Sequence, residues 1–124
     1  MSRLTRPARG FTLIEVLVAI VMLVLGVIGA ASLTAALMQM NRDATDRTRA
    51  LELVRHKIEH IQSQGYYEVI TGGDTRTVGG VTFTRSWTVT PNSPIPGLRD
   101  VVVGVSWTDQ GGSHTVQART LKGL

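Results

Sequence analysis

Between Val16 and Asn41 the chain runs for 26 residues without a charge, and Val16 to Ala31 is unbroken Val, Leu, Ile, Met, Ala and Gly. A run of this length and polarity reaches across the hydrocarbon core of a bilayer as a helix. A cleaved secretory signal fits less well, because its apolar stretch is shorter and ends in a small-residue cleavage site, whereas this run flows into a helical pattern without a break. The segment is therefore read as a single span. Arg3, Arg6 and Arg9 precede it, and the positive-inside rule keeps that end in the cytoplasm and puts everything after about Met40 on the far side.

The same three arginines account for most of the charge imbalance. The net charge is +4, from 13 Lys and Arg against 9 Asp and Glu. Once the leader is set aside, basic and acidic residues nearly balance, so the basic signal belongs to topology and not to a nucleic-acid surface. The 124 residues admit one domain. The absence of cysteine excludes a disulfide framework, a thiolate zinc site and a cysteine nucleophile.

Glu15 stands immediately before the apolar run, where a carboxylate is costly and ordinarily has a partner. No cation follows it before Arg42. The segment Arg9-Gly10-Phe11-Thr12-Leu13-Ile14-Glu15 resembles the class III signal of type IV prepilins: a short basic leader ending in Gly, then Phe, then a Glu five residues into the mature chain.

The resemblance implies that prepilin peptidase cuts between Gly10 and Phe11, that the new amine of Phe11 is N-methylated, and that Glu15 serves subunit assembly by neutralising the Phe amine of a neighbouring subunit. These residues would be substrate, so the chain is expected to be no enzyme, with no catalytic residue, no cofactor and no metal. Implied partners are the prepilin peptidase/N-methyltransferase, other pilins or pseudopilins, the inner-membrane assembly platform and, before assembly, membrane lipid. The implied location is the bacterial inner membrane, then an extracytoplasmic pilus or pseudopilus.

Small residues mark the second half of the span. Gly26 and Ala30, and Ser32 and Ala36, have the small-xxx-small spacing that lets helices approach closely. Beyond it Ala50 or Leu51, Val54, Ile58 and Ile61 recur at three- and four-residue steps, so the helix continues. Asp43, Asp46, Arg47, Arg49, Glu52, Arg55, Lys57 and Glu59 are expected on its solvated face, and Gly65 is expected to stop it. One helix is predicted from about Thr12 to Gln64.

After Gly65 the period changes from 3.6 to 2. Val81, Phe83, Arg85, Trp87 and Val89 alternate with Thr82, Thr84, Ser86, Thr88 and Thr90, a half-buried strand whose one exception on the apolar face is Arg85. Further strands are predicted at Thr75–Val78, Asp100–Thr108 and His114–Leu121, with a loop at Asn92–Gly97. So few residues make a thin core alone, so the sheet should pack on the stripe from Ala50 to Ile61, with Trp87 and Trp107 as anchors.

The expected fold is α+β and type IV pilin-like, one long N-terminal helix with an apolar first half packed against a small antiparallel β-sheet. The expected organisation is a cleaved leader at 1–10, a transmembrane and filament-core half at 11–40, an amphipathic half at 41–64 and a sheet region at 65–124.

Two other readings are disfavoured. His56-Lys57-Ile58-Glu59-His60 has the spacing of inverted zinc peptidases, but a catalytic zinc needs a third ligand and an enclosing cleft. A DNA-binding or adhesive role would draw on Arg76, Arg85, Arg99, Arg119 and Lys122, a thin basic set. Within the family, Val24 to Ala30 and Ala50 to Glu59 look most like the type IV pilus modification group of minor pilins, with the minor pseudopilins of type II secretion second.

Overall fold

The computed structural model describes residues 9–124; Arg3, Arg6 and the rest of the leader before Arg9 lie outside the described residues. One helix, α1 (Leu13–Ser63), is followed by four strands: β1 (Gly72–Val78), β2 (Val81–Pro91), β3 (Leu98–Asp109) and β4 (Gly112–Gly123). The chain divides into two compact units, Met1–Asn41 and Arg42–Leu124.

The helix has the expected extent to within a residue at each end. At its C-terminus Gly65 acts differently from the anticipated stop, because its backbone is not left-handed. Its N–H instead donates to the Glu68 carboxylate at 3.0 Å, and the Gln64 N–H closes the last turn on the His60 carbonyl at 3.2 Å.

The sheet is a meander in the order β1-β2-β3-β4, antiparallel throughout. The period-2 pattern places Phe83, Arg85 and Trp87 of β2 on one face and the threonines on the other, and the register sets Asp74 of β1 directly opposite Arg85. Strand β1 starts at Gly72, three residues earlier than predicted. Two glycines carry little strand propensity, but a Cβ on Gly72 would sit 2.9 Å from the Trp87 ring, so the bare backbone here makes room for the indole. Strands β3 and β4 also run a few residues beyond their predicted ends, as ladder pairing carries them from Leu98 and Gly123 to the hairpin at Asp109 and Gly112.

Within Arg42–Leu124 the sheet lies on α1. Ala50, Val54 and Ile61 from the helix join Val69, Phe83, Val101, Val103, Val105, Trp107 and Val116 in one buried cluster, with Leu53, Ile58, Val81, Trp87, Val89 and Ala118 packed on its margin. Burying each large apolar side chain contributes about 1.5–3 kcal/mol, enough for this stripe to hold the sheet. Trp107 is buried as expected, whereas Trp87 is half-buried at the border.

Of the two alternatives at the start of the stripe the structure takes one, and some charged positions expected on the solvated face depart from it. The apolar stripe runs through Ala50, and Leu51 is exposed. Asp46 was placed on the solvated face but is 7% exposed, its Oδ1 accepting from Arg49 Nη1 at 3.1 Å. Arg49 also turns inward, its guanidinium packing against Gly79 in the β1–β2 turn. A charge can stand in a helical stripe where a neighbour one turn on neutralises it, which residue spacing alone does not report.

Candidate functional site

The chemistry suggested by the sequence sits where α1 begins. Gly10 and Phe11 precede the helix and are exposed, Phe11 by 84%. Thr12 is the cap: its Oγ1 accepts from the Glu15 N–H at 3.3 Å, and its carbonyl accepts from the Val16 N–H at 3.2 Å, the first bond of the α ladder. Sequence reasoning passed over this role of Thr12, although Thr-x-x-Glu is the spacing of a capping box. Glu15 lies in the first helical turn, where a carboxylate meets the positive end of the helix dipole. Among the described residues no ion pair reaches it.

Glycine positions carry the sharpest information. A Cβ built on Gly10, Gly26 or Gly29 meets nothing within 4 Å. None of the three has a backbone that L residues avoid. Each glycine inside a helix costs about 1 kcal/mol relative to alanine, and among the described residues no side-chain or backbone contact at Gly26 or Gly29 offsets it. Small residues of this kind let helices approach closely.

The surrounding surface has the same character. The most apolar window of α1 has a mean hydropathy of 2.8 and none of it is buried. Leu17, Ile20, Leu25, Val27 and Ile28 are all more than half exposed. Contiguous apolar surface on this scale marks contact with a membrane or with other proteins.

A sequence model of the prokaryotic N-terminal methylation motif matches residues 5–31. The match is confined to the N-terminal motif, a class III signal, and spans 27 of the 124 residues. The exposed apolar helix is consistent with anchoring in a membrane. The pilin-like α+β fold, a long N-terminal helix against a four-stranded antiparallel sheet, agrees with the motif. No curated protein and no solved structure matches the chain.

The cations of the sheet all have partners in the chain, some at its surface. Arg85, 4% exposed, donates from Nε to Asp74 Oδ1 at 2.8 Å and from Nη2 to Asp74 Oδ2, while its Nη1 reaches the Leu53 carbonyl of α1 at 3.1 Å. The hydrogen bond from Arg85 holds the Asp74 carboxyl below its usual range. Lys57 Nζ lies 3.5 Å from the centre of the Trp87 ring, and desolvation, aided by the nearby Arg85 charge, lowers its pKa.

Arg99 donates to the Val69 carbonyl at 2.6 Å and lies over Tyr66, Arg119 donates to Asp100 at 2.6 Å, and Lys122 donates to the Gln62 carbonyl at 2.6 Å. Arg76 stands 3.9 Å from Asp74. Each of the five residues that a DNA-binding strip would need has a partner within the chain, with Arg76 and Arg85 sharing Asp74, and Arg76 and Arg119 stay exposed. His56 and His60 are exposed on α1 while Glu59 pairs with Arg55 at 2.9 Å. Among the described residues no group of three His, Asp or Glu side chains gathers to hold a metal.

Proposed function

We propose that the protein is a minor pilin of a type IV pilus, cleaved by prepilin peptidase between Gly10 and Phe11, N-methylated on Phe11, and assembled through α1 to prime, cap or modify the filament. One observation carries this reading: the N-terminal methylation motif matched at residues 5–31, and glycines at 10, 26 and 29 that meet no neighbour among the described residues support it. Gly10 suits close approach of the backbone to a protease cleft, and the other two suit close approach of neighbouring helices.

Glu15 supplies register. It has no ion-pair partner among the described residues, and the amine that cleavage creates on Phe11 of an adjacent subunit would complete it. A desolvated pair of this kind specifies geometry more surely than it adds stability. The small four-stranded sheet, with no cysteine to staple it, fits a subunit present in few copies.

The test is the N-terminal mass of the protein in two fractions, sheared surface filaments and residual membranes. Methylated Phe11 in sheared filaments is the expected result. The same processed end in membranes alone would favour a pseudopilin of a type II secretion system or a subunit that only primes the filament, and an intact leader in both fractions would refute the processing reading altogether.

A further inference from the structure

We propose that Thr12 is a positioning residue for leader removal: by capping α1 it sets the boundary between helix and extended backbone just beyond the Gly10–Phe11 peptide. This inference rests on the reading that the Gly10–Phe11 bond is the one cleaved.

The boundary is sharply drawn in the structure. Gly10 and Phe11 are outside the helix, Leu13 is its first residue, and Thr12 between them satisfies the Glu15 N–H with its hydroxyl and the Val16 N–H with its carbonyl. An N-cap residue takes an extended backbone while its carbonyl already belongs to the helix, so it separates the two conformations within one residue. Phe11 and Val16 occupy the flanking positions at which apolar side chains often close over a cap. Phe11 nevertheless stays 84% exposed, which leaves the approach to the scissile peptide open.

A cleft that binds a peptide through its backbone needs free N–H and C=O groups in an extended strand. A residue drawn into the helix has its carbonyl committed to the ladder and its backbone coiled away from the cleft. Glu15 favours a helix start nearby through the dipole, but the Thr12 hydroxyl is the side-chain acceptor that fixes the residue at which it begins, since Gly10 meets no neighbour among the described residues. Without the Thr12 acceptor the first turn can begin earlier, absorbing Phe11, or later, shifting the scissile peptide relative to the membrane. Either change lowers the fraction of precursor that presents the bond correctly, and apparent affinity for the peptidase falls with that fraction.

The experiment uses the full-length precursor, co-expressed with a prepilin peptidase, with leader loss followed by intact mass on the membrane-inserted fraction. Thr12→Val keeps the side chain's shape and removes the acceptor; Thr12→Ala removes it without β-branching; Thr12→Ser and Thr12→Asn restore an acceptor on different side chains. Loss of a cap corresponds to about a fivefold slower cleavage for the Val and Ala variants, with Ser and Asn within about twofold of wild type.

Cleavage of Thr12→Val at the wild-type rate would overturn the proposal, as would Ser and Asn variants as slow as Val, since the peptidase would then be reading threonine itself. A wild-type precursor cut at some other bond, or left intact, removes the underlying processing reading and this inference with it. Cleavage of wild type after Gly10 with no ranking among the variants removes this inference alone.

Discussion

Replacing Arg85 with Met tests what joins the sheet to the helix. The substitution keeps most of the apolar stem and removes a guanidinium that binds Asp74 through two nitrogens and the Leu53 carbonyl through the third. Removing one partner of a fully buried pair costs about 3–5 kcal/mol, whereas exposed pairs contribute about 0–1 kcal/mol. The pair lies between these limits, with Arg85 5% and Asp74 32% exposed at the side chain. Asp74 can partly rehydrate, and losing the Arg85 charge relieves the repulsion felt by Lys57. The expected loss is therefore about 2–3 kcal/mol, or about 8–24 °C in Tm for a unit of this size.

Urea unfolding of Arg42–Leu124, followed by Trp87 and Trp107 fluorescence, reads this loss directly. The slope should be unchanged, since the same surface is exposed on unfolding. The pH dependence supplies a second check. Asp74 has a depressed pKa in the folded state, so its contribution is present above the unfolded carboxylate value of about 3.9 and is lost as pH falls through the lower folded value. The gap between wild type and variant should accordingly narrow in acid. An Arg85→Met protein within about 0.5 kcal/mol of wild type at pH 7 would refute the reasoning, and so would a gap undiminished at about pH 2.

Three further outcomes are expected. Glu15→Ala should be processed at its N-terminus yet fail to enter filaments; recovery of the variant in sheared filaments at wild-type level would contradict the assembly role. Gly26→Leu should insert and be cleaved normally, because a side chain there meets nothing in the chain, while incorporation drops; comparing membrane and filament fractions by immunoblot decides it. Gly79→Ala should destabilise the sheet unit by about 1–3 kcal/mol, since the backbone has φ +60° and a Cβ would collide with the Arg49 guanidinium; an unchanged urea midpoint would show that Arg49 moves aside freely.

Much of the fold was legible because it is written in periodicity. An uncharged run of 26 residues, a stripe at Ala50, Val54, Ile58 and Ile61, and strict alternation from Val81 to Val89 each name an element and the face it buries. The N-terminal motif was legible because its parts are contiguous: Gly10, Phe11 and Glu15 need no folding to find one another.

Other features depended on contacts that sequence spacing does not encode. That Arg85 faces the core yet is satisfied follows from a register that sets it opposite Asp74, in a strand whose start at Gly72 the pattern did not reveal. The inward turn of Asp46 and Arg49 depends on Gly79, thirty residues downstream of Arg49. Sequence by itself determined which segments are helix or strand and where the N-terminal methylation motif lies, because local propensity and polarity act over a few residues. Tertiary structure decided which charges are buried, which tryptophan anchors the core and which glycines meet no neighbour among the described residues, because those depend on what distant residues bring within a few ångströms.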